Sequence, residues 1–261
     1  MSIFKGGVFI GYKAWKNQNY LLNRMSFSDL WRAYITYPAI QVYAGLIVLG
    51  LVVAFSTMTS FLGLAIAFTA GALLFPISWY VTHRFILHGS WMYKTPALAG
   101  FWKRVHYDHH RFPNDLSVLF GGLHTTLPPI AMIAGPIGWA VSGLAGAAAA
   151  IAGFLIMTCY TEFLHAGQHL AFEPKSTFWK VIKQRHLAHH FHNETGNFGI
   201  AEFFWDRMFG TFYATQADAP RTRTARNLGY DLETAEKYPW VKELTDAEGA
   251  RPGRTDEAAV S

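Results

Sequence analysis

Histidine is the residue type here whose number and spacing could do chemistry. All 12 histidines of the 261-residue chain fall between His83 and His192. Ten form four spaced groups: His83 and His88 as HxxxxH, His106, His109 and His110 as HxxHH, His165 and His169 as HxxxH, and His186, His189 and His190 as a second HxxHH. Residues i, i+3 and i+4 share one face of a helix. Each HxxHH therefore reads as a ready-made half site, and His165 with His169 as a comparable pair. His83 and His88 are the exception, because five residues turn an ideal α-helix about 140° past alignment. They need a helix end, a bulge or two different metals, and two metals is the favoured expectation. Ten imidazoles exceed the four ligands of a structural zinc site and suit two metal ions. Neutral imidazole binds zinc, copper, iron and nickel alike, so ligand type does not choose the metal. A metal pair at a lipid surface, with no hydrolytic HExxH, points by elimination to iron activating dioxygen. His124 and His192 stand alone and are read as structural.

Carboxylates are scarce near these groups. Glu162 and His165 make one ExxH, but the soluble di-iron bundles need two such motifs with further glutamates. Glu162 is therefore expected to orient a ligand through its outer ring nitrogen, and Asp108 and Asp206 are further candidates for that role. The single cysteine, Cys159, excludes an internal disulfide framework, a CxxC zinc site and a cysteine-ligated iron–sulfur cluster. It reads as a small apolar helix residue.

The elements that must carry the histidines are apolar. Only 15% of residues are charged, against roughly 25% in soluble domains. From Ala33 to His83 and from Leu116 to Thr161 there is no Asp, Glu, Lys or Arg. As helix these runs would reach about 77 and 69 Å, each enough for two crossings of a hydrocarbon core of about 30 Å. The expected fold is all-α and integral to the membrane, with four helices near 39–57, 61–82, 128–142 and 144–164 in two hairpins. The first turns at Ser56–Ser60; the second opens at Pro128-Pro129 and turns near Gly135-Pro136 or Ser142-Gly143. Pro76 predicts a kink, and the Gly and Ala content of the second hairpin suits close packing in lipid. A histidine-rich cap is expected over 83–127 and 165–214, an interfacial N-terminal segment over 1–38, and a polar, partly disordered tail over 215–261. The first 32 residues lack the apolar core of a secretory signal.

Every Lys and Arg lies in residues 1–32, 84–111 or 175–254. The positive-inside rule then puts both termini and all four histidine groups in the cytoplasm, at the inner membrane of a bacterium or the endoplasmic reticulum of a eukaryote. The net charge of +5 carries no nucleic-acid motif to organise it. Trp79, Tyr80, Trp91, Tyr93, Phe101 and Trp102 read as an interfacial aromatic belt.

The four groups in this order resemble the fatty acid hydroxylase and sterol desaturase superfamily of integral membrane di-iron enzymes, and most closely its fatty acid 2-hydroxylase branch. The stretches that carry the resemblance are HRFILHG (83–89), HYDHHRFPND (106–115), HAGQH (165–169), RHLAHHFHN (185–193) and NFGIAEFFWDRMFGT (197–211). It implies metal ligands at His83, His88, His106, His109, His110, His165, His169, His186, His189 and His190, and none at His124 or His192. It also implies four membrane helices, a cytoplasmic histidine cap and two iron ions, which zinc can replace in purified protein. Eukaryotic members often carry a fused cytochrome b5 domain. No His-Pro-Gly-Gly haem motif occurs here, so a separate donor of ferredoxin or cytochrome b5 type, with its reductase, is expected to supply electrons.

The function these readings imply is hydroxylation of a lipid C–H bond with dioxygen, on a fatty acyl chain or related lipid entering from the bilayer. Desaturation, or carotenoid or sterol hydroxylation, is the alternative within the superfamily. A membrane haem protein or metal transporter is the alternative outside it. Haem ligands come singly from facing helices and transport favours ionisable groups near the midplane, whereas these histidines wait for the ends of the uncharged runs.

Overall fold

A computed structural model describes residues 20–248 as helices and connecting loops. Among them there is no strand, only one isolated bridge between Leu21 and Asp115. The sequence expectations for residues 1–19 and for the last dozen residues lie outside the described residues. The chain divides into two compact units.

The first unit takes residues 28–78 and 121–163 of the described chain. It is built on α1 (Phe27–Thr36), α2 (Pro38–Thr57), most of α3 (Phe61–Val81) and most of α4 (Leu123–Gln168). Among the described residues, three helices are long and apolar enough to cross a membrane: Pro38–Thr57, Phe61–Leu87 and Leu123–Gln168. Pro38 starts α2 at a position where no amide is needed. Val48, Leu49, Val52 and Phe55 stay exposed on it, as lipid-facing residues do.

The third apolar helix is broken. Ser142 and Gly143 leave helical geometry, Gly143 with a φ of 56°, a conformation that suits a residue without a Cβ. Beyond the break the second arm returns along the first: a Cβ on Gly138 would lie 2.2 Å from the Gly146 carbonyl oxygen. Of the two turns the sequence allowed, Ser142-Gly143 is used, and Pro136 stays inside the helix. The helix also begins at Leu123, before the expected opening at Pro128-Pro129.

Small residues set the spacing in this unit. A Cβ on Gly71 would meet the Ala150 carbonyl and one on Gly153 the Phe68 carbonyl, so these backbones approach where side chains are missing. Ala54, Leu64, Ala67, Ala145 and Ala149 form the core beside them. The Tyr34 hydroxyl donates to the Cys159 carbonyl at 2.7 Å, and Trp31 and Tyr34 pack edge-on against Phe163.

The second unit takes residues 20–27, 79–120 and 164–248 of the described chain. Helix α3 continues into a π turn, Thr82–Leu87. Short helices α5 (Ser90–Lys94) and α6 (Pro96–Trp102) follow, then a second π turn, Lys103–Tyr107, and α7 (Asp108–Arg111). Helix α8 (Thr177–Phe191) opens on Ser176, whose hydroxyl accepts the Trp179 amide. Beyond α9 (Phe204–Met208), the chain continues into α10 (Leu232–Lys237) and α11 (Trp240–Glu248).

The polar tail expected from 215 onward is folded as far as Glu248. Leu228, Tyr230, Ala235 and Val241 share a core with Met92, Tyr93, Ala99, Trp102 and Tyr107. Its few apolar residues are spaced to fill that aromatic cluster, a non-local partnership that composition does not reveal.

Candidate metal centre

All ten spaced histidines lie in the second unit, and they assemble into two groups of five. His83, His88, His106, His110 and His189 form one; His109, His165, His169, His186 and His190 form the other. Within each group the nitrogens that face one another lie within 4.8 Å.

This arrangement corrects two sequence expectations. Neither HxxHH is a half site. His106 and His110 join one group while His109, between them, joins the other; His186 and His190 join the second while His189 crosses to the first. Three residues carry a helix about 60° short of a full turn and four about 40° beyond it, so a triplet can serve two neighbouring centres. The second correction concerns His83 and His88, which share one group instead of dividing between two metals. The cause is the π turn between them: the His88 amide donates to the His83 carbonyl at 3.0 Å, and this i→i+5 bond brings residue i+5 over residue i.

The second π turn does the same for an ion pair. Lys103 and Asp108 are also five apart, and the Asp108 amide donates to the Lys103 carbonyl. The Lys103 ammonium lies 2.8 Å from Asp108 Oδ2, and both residues are buried. Asp108 is thus engaged by a lysine, which also reaches Glu248 at 3.1 Å.

Backbone carbonyls hold the outer nitrogens of the first group. His83 Nδ1 donates to the Phe198 carbonyl at 2.6 Å, His189 Nδ1 to Gly196 at 2.7 Å and His110 Nδ1 to Ala225 at 2.7 Å. A carbonyl only accepts, so each ring carries its proton on Nδ1 and turns a bare Nε2 lone pair inward. Two of these carbonyls come from one short loop in which Asn197 has a φ of 54°. Asn197 is tied to Tyr213 in both directions, side chain to carbonyl and amide to side chain.

Asp206 secures the same loop. Its carboxylate, fully buried, accepts the amides of Phe198 and Gly199 at 2.8 and 2.9 Å and the Thr211 hydroxyl at 2.8 Å. The Thr211 hydroxyl is 3.0 Å from that of Tyr80, which accepts from Arg84 at 2.6 Å. Asp206 therefore acts on His83 through a peptide unit, one step further out than the sequence suggested. Glu162 accepts the Gly121 amide at 3.1 Å. His192 and His124 belong to neither group, and His192 donates to the Ala219 carbonyl at 2.8 Å.

The inward nitrogens crowd together. His88 Nε2 lies 2.9 Å from His106 Nε2 and 3.2 Å from His189 Nε2, and His83 Nε2 lies 3.2 Å from His106 Nε2. In the second group His109 Nε2 is 3.0 Å from His165 Nε2, and His169 Nε2 is 2.8 Å from His186 Nε2. Two imidazoles at right angles on one metal, with bonds of about 2.1 Å, place their nitrogens about 3.0 Å apart. The donor set fits a first-row metal ion in each group.

Unpaired nitrogens support that fit. His110 Nε2, the bare inward nitrogen of its ring, and both nitrogens of His190 are buried without a hydrogen-bond partner among the described residues, and a metal bond would satisfy one nitrogen of each ring; the outer Nδ1 atoms of His109, His169 and His186 are unpaired as well. Each inward nitrogen left unpaired costs about 1–3 kcal/mol. Burial also keeps the rings neutral. It holds His88, His106, His109, His110, His169, His186 and His190 well below the usual histidine range, with neighbouring imidazoles adding to the effect. His189 is pushed down to about 4. Neutral imidazole is the form that binds metal.

Residues 68–211, which include all ten histidines, match the fatty acid hydroxylase family model. The chain belongs to that family. It is 30% identical over 166 residues to the ceramide very long chain fatty acid hydroxylase SCS7 of Saccharomyces cerevisiae, a match covering 60% of this chain and 40% of that protein. It is 29% identical over 175 residues to the dihydroceramide fatty acyl 2-hydroxylase FAH2 of Arabidopsis thaliana, covering 62% and 65%. The match thus spans from two fifths to just under two thirds of these relatives, which place the chain in the 2-hydroxylase branch. A solved structure of full-length scs7p, with only its hydroxylase domain visible, shares the fold with a TM-score of 0.61 at 24% identity, over 77% of this chain and 71% of that one.

What the sequence missed is the set of carbonyls at Gly196, Phe198 and Ala225. Carbonyls leave no trace in residue type. The nearest signal was the NFGIAEFFWDRMFGT stretch, which carries both Asn197 and Asp206.

Proposed function

We propose that this protein is a membrane-bound non-haem di-iron oxygenase that inserts one oxygen atom of dioxygen into a C–H bond of a fatty acyl chain or related lipid. The observation that carries the reading is the exchange of His109 and His189 between two groups of five inward-facing imidazoles. When bound, the two irons supply dioxygen activation and the oxidising power to break an unactivated C–H bond. The balance is one lipid C–H, one dioxygen, two electrons and two protons giving one hydroxyl and one water. A donor protein of ferredoxin or cytochrome b5 type brings the electrons.

The chain's own residues position the reaction. Phe198, Gly196 and Ala225 fix the proton of three imidazoles on the outer nitrogen, so the lone pairs stand ready without rearrangement. Asp206 and Asn197 hold the loop that presents two of those carbonyls. Burial of nine of the ten rings, with His88 half-buried, limits the access of bulk water to the reaction.

The membrane topology belongs to the same reading. Counting the two arms of Leu123–Gln168 separately gives four crossings, and the distribution of basic residues puts both termini and the histidine groups in the cytoplasm. Cysteine labelling after Tyr20, near Lys94 and after Thr215 should report one common face; any of the three on the opposite face overturns this topology.

Comparative lipidomics under labelled dioxygen tests the activity. Cells with the protein should accumulate a lipid carrying one labelled oxygen, absent from cells without it. Loss of two hydrogens with no oxygen gained would assign a desaturase, and no lipid change in a metal-loaded chain would overturn the enzymatic reading.

A further inference from the structure

Residues of α8 from Thr177 to Arg185, the 201–203 stretch and the start of α9 line an open groove of about 400 Å³. Its walls are mainly apolar, with Phe178, Val181, Phe203 and Phe204 among them, and two arginines, Arg185 and Arg207, line it as well. Both guanidinium groups stack on the Phe212 ring, at 4.9 Å for Arg185 and 4.0 Å for Arg207, and Arg185 also lies 5.1 Å from Phe203. Two like charges are thus held against one aromatic ring.

No carboxylate lies within ion-pair distance of either arginine among the described residues, where Lys103 makes both ion pairs. Glu202 stands in the same wall, but its Oε2 accepts the Phe204 amide at 2.7 Å. Arg185 Nε is buried and has no hydrogen-bond partner among the described residues. An anion between the two arginines would satisfy both.

The rim says what kind of anion. Phe178 and Phe204, both lining the groove, are 45% and 55% exposed. An apolar patch of this kind marks an interaction surface and not ordinary solvated surface. Paired cations next to apolar walls and an apolar rim match an amphiphile, with a charged head beside a hydrocarbon chain. Arginine's planar fork suits phosphate oxygens.

We propose that the groove bounded by Arg185, Arg207, Phe178 and Phe204 is a binding seat for an anionic membrane phospholipid, its phosphate held by the two arginines and its chain laid along the apolar wall. The seat does not depend on the hydroxylation reading.

The test uses the full chain, reconstituted in nanodiscs of phosphatidylcholine with equal phosphatidylglycerol, extracted in detergent and weighed by native mass spectrometry. The wild type should retain phosphatidylglycerol over phosphatidylcholine by about tenfold or more, the scale expected of two arginines at an anionic surface. Arg185→Gln/Arg207→Gln should lose that preference while its metal content stays unchanged, which shows that the fold survives. Lys94→Gln/Lys237→Gln, with the same net charge, should keep it. Equal retention by the wild type, or loss of preference in both double variants, overturns the proposal. So does unchanged lipid preference in Arg185→Gln/Arg207→Gln combined with slower reduction by an electron-donor protein, which would assign the arginines to a protein partner.

Discussion

His109 and His189 are exchanged: each stands as the middle histidine of one HxxHH and completes the group that the other HxxHH builds with its outer pair. Each group then consists of a pair from a helix extension, the i and i+4 histidines of one HxxHH, and the middle histidine of the other. The two centres are interlocked, and ring contact between them is close, with His110 and His190 centroids 4.2 Å apart. Neither centre can form unless both histidine segments are docked.

Asp206 should matter through the Phe198 carbonyl. In Asp206→Asn the amide group replaces an oxygen that accepted a backbone N–H, so the 196–199 loop loses part of its anchor. Chelator competition on the metal-loaded protein should show about 10–100-fold weaker affinity at one metal and little change at the other. Equal weakening of both, or none, contradicts the assigned path.

The π turn between His83 and His88 predicts an asymmetry between deletions. Removing exposed Phe85 converts an i→i+5 pair into i→i+4, which an ordinary α-helix aligns. Metal content should largely survive. Deleting Gln184 in α8 has no such compensation and rotates every following histidine by about 100°, so metal should be lost. Retention of metal after the second deletion, or its complete loss after the first, would contradict the geometry.

These cases show what the sequence could and could not reveal. Helix type and apolar spans were legible because missing charges and i, i+4 spacing are local signals. The partition of the ten histidines was not, because a triplet is compatible with one centre or two until its helix is docked. The π turns were invisible because no residue type encodes them, although the five-residue spacing of His83 and His88 flagged a departure from the α-helix. The tail from 215 to 248 looked solvated by composition; its role emerges only when Ala225 meets His110 and Val241 meets the aromatic core.

Metal removal should destabilise the fold. Without metal, His110 Nε2 and the inward nitrogen of His190 stay buried and unpaired, and ligand held at about 100-fold above its Kd contributes about 2.7 kcal/mol. At roughly 2–4 °C per kcal/mol for a chain of this size, chelation should lower the Tm by on the order of 10 °C. A Tm unmoved by chelators would mean that the histidines satisfy one another without metal.

His192 and His124 offer the contrast within the histidines. His192→Ala removes one hydrogen bond to Ala219 and should cost about 1 kcal/mol of stability with metal content intact. His124→Ala should likewise keep its metal. If either change strips metal as thoroughly as His110→Ala, the division into ligands and structural histidines fails.

Metal content per chain, measured on iron-reconstituted wild type, His109→Ala and His189→Ala, tests the interlocked pair most directly. Two irons are expected in the wild type and no more than one in each variant. The iron that His189→Ala keeps should sit among His165, His169, His186 and His190, and the one that His109→Ala keeps among His83, His88, His106 and His110. A wild type that holds a single iron, or a variant that holds both at full affinity, would contradict two centres sharing their histidines in this way.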